Sequence, residues 1–152
     1  MLSNQLIKHS YLLYTSFQKA TGKQLINIDS SKTERELAEA LYTAPFVVVS
    51  HGIQADPIFN YANLTAQQLW ELSWKQFTQM PSRLSAETIS QAERQAMLEE
   101  ARKKGFISNY QGIRISSTGK RFIIQNATLW NIYDAQENYQ GQAATFNLWR
   151  FI

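Results

Sequence analysis

Apolar residues recur at every third or fourth position from Leu2 to Ala20, with Leu2, Leu6, Leu13 and Phe17 near one stripe. This spacing predicts an amphipathic helix, which Gly22 ends. Ser31-Lys32-Thr33-Glu34-Arg35-Glu36 holds two overlapping capping boxes, Ser31 with Glu34 and Thr33 with Glu36, and opens a second helix buried through Leu37, Ala40 and Leu41. Pro45 stops helical continuation, and Phe46 to Ser50 reads as a strand apolar on both faces. After a turn near Gly52 to Pro57, Ile58 to Ala62 reads as a second strand. Thr65 with Gln68, stapled by Leu64 and Leu69, predicts the next helix start. Ser73 with Gln76, stapled by Leu72 and Phe77, repeats the device, so two short helices meet at a bend near Ser73. Pro81 breaks the second of them, and a longer helix from about Glu87 to Lys104 closes at Gly105.

Beyond Gly105 the pattern turns extended: Asn109 to Ser116, a turn at Ser117-Thr118-Gly119-Lys120, Arg121 to Tyr133, and Gln140 to Trp149. Short turns between these three strands favour antiparallel pairing. The element order predicts an α+β domain with one five-stranded sheet.

With 152 residues, 44% of them apolar, the chain suffices for one domain with a core and is short for two. Its 15 Lys and Arg are scattered, and the longest basic cluster, Arg102-Lys103-Lys104, sits where a helix should end and complements the helix dipole. No basic stripe meets a stacking motif, so no nucleic-acid partner is expected. The absence of cysteine excludes disulfides, Cys-ligated zinc, iron–sulfur clusters and thiol nucleophiles. No apolar run approaches the length of a membrane span, and the Met1 end lacks signal-peptide regions. A soluble cytoplasmic protein without a membrane partner is the expectation, and no motif calls for a metal.

Strict alternation along Arg121 to Tyr133 puts Phe122, Ile124, Asn126, Thr128, Trp130 and Ile132 on one face. Placed beneath the helices, that face carries Asn126 and Thr128 into the interior, and the last strand adds Gln142 and Phe146. Asn126, Thr128 and Gln142 then either satisfy one another or line a small-molecule pocket. Trp70 and Trp74 are core packing or, with Trp130, the aromatic wall of such a pocket. His51 and Asp56 flank one turn: either Asp56 bonds the turn backbone and His51 caps the strand end, or the two are half of an acid–base apparatus, but Ser50 projects opposite to His51, so a Ser-His-Asp triad fits poorly. Arg83 and Arg114 are single cations, either solvent-exposed or paired with Asp56 or Glu71, or holding an anion through their planar forks. Arg114 occupies the face opposite to Ile113 and Ile115.

The blocks SHGIQADPIFNYAN, LWELSWKQFTQMPSRLSAE, GFISNYQGIRISSTGKRFIIQNATLWNIYD and GQAATFNLW closely resemble the MEKHLA domain, a PAS-like module, from about Ala44 to Phe151. The resemblance implies a PAS-like domain over residues 44–152, with an antiparallel five-stranded sheet and helices between the second and third strands. The resemblance also implies that residues 1–43 are an N-terminal helical extension, as in a free-standing bacterial member. It further implies a non-enzymatic sensory module with a small-molecule site between sheet and helices, which is where the residue pattern puts the candidates Asn126, Thr128, Gln142, Trp130, Phe146, Trp70, Trp74, His51 and Arg83. Without cysteine, flavin-adduct photochemistry is excluded, while non-covalent flavin stays open. A haem would need His51 or His9, since the long helix lacks His. The cofactor is unassigned. The alternative is a homodimer formed through the sheet's outer face and the Leu2–Ala20 helix, and a third reading is a small hydrolase or isomerase using His51 and Asp56.

Overall fold

The computed structural model describes residues 2–152. Helices α1 (Asn4–Thr21) and α2 (Glu34–Tyr42) lead into strands β1 (Val47–His51) and β2 (Phe59–Ala62). Helices α3 (Leu64–Trp70) and α4 (Trp74–Phe77), a 3-10 turn at Ser82–Ser85 and α5 (Thr88–Lys104) follow. Strands β3 (Phe106–Ile115), β4 (Arg121–Tyr133), β5 (Tyr139–Phe146) and β6 (Leu148–Phe151) complete the chain. The sheet is antiparallel throughout, in the order β2-β1-β5-β4-β3. β6 continues β5 past Asn147 and pairs with the other half of β4, so the last predicted strand is one ladder with a break.

Local chemistry explains the element starts. Thr33 with Glu36, and Ser73 with Gln76, form the reciprocal boxes expected of them. The start of α3 differs from the sequence reading: Asn63, not Thr65, is the cap. Its Oδ1 accepts from Ala66 N at 3.2 Å and Val48 N at 3.1 Å, and its Nδ2 donates to Leu41 O at 3.1 Å and Phe46 O at 2.8 Å. A fully buried amide thus joins α2, β1 and α3 with its hydrogen-bonding capacity filled, while the Thr65 hydroxyl donates to Ala44 O.

The sheet is covered on both faces. Its front carries Val47, Val49, Phe122, Ile124, Ala127, Leu129 and Phe146, which pack against Leu69, Trp70, Phe77, Met97, Leu98 and Ala101 of the helices. Its back carries Val48, Tyr61, Trp130, Ile132 and Ala143, which pack under Leu13 and Phe17 of α1. Phe17 meets the Trp130 ring edge to face at 4.8 Å. The apolar stripe of α1 is therefore satisfied within the chain, and the face on which a homodimer was expected is occupied.

One backbone feature decides which side chains meet which cover. Asn109 in β3 and Asn126 in β4 both adopt left-handed φ, 57° and 53°. The β3–β4 register slips on passing each of them, from Ile107↔Leu129 to Tyr110↔Ala127, then to Gly112↔Ile124. Each strand holds one extra residue there, and the two bulges cancel. Asn tolerates this conformation better than other side-chain-bearing residues.

Alternation along β4 flips at Asn126, which corrects the sequence expectation. Asn126 is exposed, Thr128 is half-buried on the back face opposite Thr145, and Trp130 and Ile132 lie under α1. Ala127, Leu129 and Asn131 take the front positions instead. We expect Asn126→Gly to change stability by less than about 1 kcal/mol and Asn126→Val to cost about 1–3 kcal/mol, measured by denaturant unfolding. Equal stability of the two variants would contradict a bulge that needs positive φ.

Candidate functional site

Between the front of the sheet and α5 lies a hollow of about 50 Å³. Its apolar wall includes Phe59, Trp70, Met97, Leu129 and Phe146, and its polar residues are Ser50, His51, Ser85, Arg94, Tyr110, Arg114 and Gln142. No Asp or Glu lines it.

Arg94 comes from the inner stripe of α5. Its partners on that stripe are Met97, Leu98 and Ala101, spaced at i+3, i+4 and i+7. A guanidinium thus replaces an apolar side chain at a core position, and only 7% of Arg94 is exposed. Among the described residues it has neither a carboxylate partner nor a hydrogen-bond acceptor. Burial, followed by repulsion from Arg114, pulls its pKa down to about 10, which leaves it charged at neutral pH.

Arg114 stands on β3 opposite Phe122, on the front face, as its position between Ile113 and Ile115 predicts. It is buried, donates to Ile113 O at 2.8 Å and to the Tyr110 hydroxyl at 3.2 Å, and has its guanidinium carbon 5.5 Å from the Tyr110 ring centre. The Tyr110 hydroxyl in turn donates to Glu93 Oε2 at 2.9 Å, so Arg114 reaches a surface carboxylate only through a phenol. Gly112 lies between the two. A Cβ there would come within 2.7 Å of Tyr110 Cζ and 2.9 Å of Arg114 Nη1, so only glycine lets both side chains fold across the strand.

On the other wall, His51 is 6% exposed, and its Nδ1 donates to Gly52 O at 3.1 Å. That bond assigns the proton to Nδ1 and leaves Nε2 as a buried acceptor without a partner. Burial depresses the His51 pKa to about 4, with a smaller push from Arg94. Gly141, at φ 132°, lets β5 pass against the His51 carbonyl with no room for a side chain. Next to it, Gln142 Nε2 donates to Leu98 O at 2.9 Å and Asn131 Oδ1 at 3.3 Å, and so ties the sheet to α5.

Of the sequence-predicted site residues, His51, Gln142, Trp70 and Phe146 line this hollow. Asn126, Thr128 and Trp130 do not, because of the bulge. Trp74 packs instead against Tyr61 and Tyr42, 5.7 and 6.2 Å between ring centres. Arg83 is half-exposed and paired with Asp56 at 3.2 Å. Arg94 was missed by the sequence reading, although its place on the Met97–Leu98–Ala101 stripe marks it as an inward charge.

The His51–Asp56 acid–base reading fails on geometry, since Asp56 is bound to Arg83 while His51 faces the hollow. Ser50 is turned to the back face, where its Oγ donates to Asn60 Oδ1 and meets His9 Nε2 at 2.9 Å. With the serine O–H directed at Asn60, His9 Nε2 donates to Ser50 Oγ rather than accepting from it. This is the reverse of nucleophile activation.

Comparison with known proteins agrees with the architecture. The profile of the MEKHLA domain matches residues 7–151 and so takes in α1 and α2. The Homeobox-leucine zipper protein ATHB-14 of Arabidopsis thaliana is 23% identical over 142 residues; the match spans 90% of this chain and only 16% of that protein. The PAS domain of a Colwellia psychrerythraea protein superposes with a TM-score of 0.65 at 16% identity, over 78% of this chain and 95% of that one. The light-state dimer of the fungal blue-light photoreceptor Vivid superposes at 0.60 with 12% identity, over 90% of each chain. Sheet order, helical cover and a profile match over nearly every residue lead to one conclusion: the chain belongs to the MEKHLA domain family, built on a PAS-type fold.

Proposed function

We propose that the chain is a non-enzymatic sensory module that holds a small molecule between the front of its sheet and α5. The observation that carries this reading is the meeting at one hollow of His51 Nε2, a buried atom without a partner, and the Arg94 guanidinium, which has no acceptor among the described residues. Buried polar groups without partners cost on the order of 1–3 kcal/mol each, so their clustering favours a ligand that satisfies them.

The residues present do not fit a flavin. The hollow of about 50 Å³ falls far below the roughly 300 Å³ at which cofactor pockets begin, and the chain has no adduct-forming cysteine. Haem fails on the same volume, although His51 Nε2 is free and faces inward. The ligand class that fits is a few heavy atoms in size.

Native mass spectrometry of freshly purified and of extracted protein tests this reading, together with melting curves. We expect an adduct that extraction removes, a lower melting temperature after its removal, and an absorption spectrum without flavin or haem bands. A mass equal to that of the bare chain in every preparation, with melting unchanged by extraction, contradicts it.

The neutral imidazoles also set a pH dependence. His9 and His51 are both held near pKa 4 by burial, against 6.5 in an unfolded chain, so the unfolded state takes up protons first as pH falls. Their contribution to stability is complete above about pH 6.5 and is lost as pH falls from there to about pH 4 and below, on the order of 3 kcal/mol for each. Melting temperature should fall across that window, with a shallower slope in His51→Gln; equal slopes for wild type and variant contradict the assignment.

A further inference from the structure

Resting on that reading, we infer that the hollow is a receptor for a short-chain carboxylate, with its carboxylate group between Arg94 and Arg114 and its apolar tail against Trp70, Met97 and Phe146. Three observations lead there. The first is charge. Two guanidinium groups are buried in one cavity whose lining contains no carboxylate, and the one on α5 has no acceptor at all among the described residues. A buried cation left unpaired is strongly destabilising, and the planar fork of arginine matches the two oxygens of a carboxylate.

The second is the distribution of the walls. The cations enter from α5 and β3, while Phe59, Trp70, Met97, Leu129 and Phe146 make the rest of the lining largely apolar. An inorganic oxyanion needs hydrogen bonds all round, and these side chains have none to give. A molecule with one charged end and a short apolar end matches both kinds of lining.

The third is size. About 50 Å³ admits a handful of heavy atoms and excludes an extended lipid tail or a nucleotide. His51 Nε2, as an acceptor, repels a carboxylate placed against it. It suits a water beside the ligand's tail, and so orients the molecule with its oxygens toward the arginines.

The test uses the full chain, extracted and dialysed into chloride buffer, with butyrate, butanol and inorganic phosphate as probes in melting curves and titration calorimetry. Butyrate should raise the melting temperature and bind saturably, and butanol and phosphate should not. Arg94→Met should weaken butyrate binding by about tenfold or more, because the charge-assisted fork is lost. In butyrate-free buffer the same variant should melt higher than wild type, since an unpaired buried charge has been replaced by an apolar side chain of similar length. That second readout separates a binding residue from a structural one. Arg114→Lys, which keeps the charge, provides a check that does not depend on how the methionine variant folds; it too should weaken butyrate binding.

The inference is overturned if Arg94→Met melts lower than wild type in butyrate-free buffer, or if butyrate binding survives both substitutions. It is also overturned if phosphate binds in an Arg94-dependent way without butyrate, or if butanol matches butyrate; in both cases the small-molecule reading stands with a different ligand class. If no probe binds and native spectra show the bare chain, both fall together.

Discussion

The opposed bulges at Asn109 and Asn126 are the constraint on which the rest of the structure depends. Side chains on a strand alternate strictly, so one extra residue exchanges every position beyond it between the two faces. β4 is the strand that touches every layer, pairing with β3, β5 and β6. Before Asn126 its front positions are Phe122 and Ile124, and after it Ala127, Leu129 and Asn131. Because of this step, Tyr110 and Arg114 from one end of the sheet face the same hollow as Gln142 and His51 from the other. Because of it also, Trp130 and Ile132 are delivered to α1. Without the bulge, the arginine face would be continuous with the tryptophan face and the hollow would lose one of its walls.

A sheet covered on both sides has little tolerance for polar groups without partners, and most of those here are accounted for. Asn63 fills its capacity between three elements, and Gln142 and Asn131 link the last strands to α5. Against that background the Arg94 guanidinium and His51 Nε2 are departures. The Tyr61 hydroxyl and the Trp130 indole nitrogen under α1 also lack partners, but only at the hollow does such an atom, His51 Nε2, stand beside a cation without an acceptor, Arg94. Departures of this kind collect where a protein binds something, since a site that must be complementary to a ligand is incomplete without it. The apolar walls around the cations strengthen any charge interaction made there by excluding water.

Much of this was legible in the residues. Helix order, two of the capping boxes, the bend at Ser73 and the antiparallel meander follow from spacing alone. The resemblance carried by the blocks from Ser50 to Trp149 agrees with the sheet order. Arg114 is on the expected face because Ile113 and Ile115 flank it. The failures have physical causes. An Asn in left-handed φ looks like any other polar strand residue, so the bulge at Asn126 is silent in a pattern that reads every second position. Asn63 was overlooked as a cap because Thr65 offers an equally good local pattern; only tertiary contacts to Leu41, Phe46 and Val48 decide between them. Arg94 was visible in principle, since it shares the stripe of Met97, Leu98 and Ala101, but a charge in a helix is ordinarily read as solvated.

The central claim, that the interior keeps two guanidinium groups poised for an oxyanion, is tested most directly by electron density in a crystal structure of the protein as purified. The account predicts a compact oxyanion-shaped feature within about 2.7–2.9 Å of nitrogens from both Arg94 and Arg114, with an apolar tail toward Trp70. Finding Arg94 swung out to solvent or bound to a protein carboxylate, with the hollow closed by apolar side chains, would contradict it.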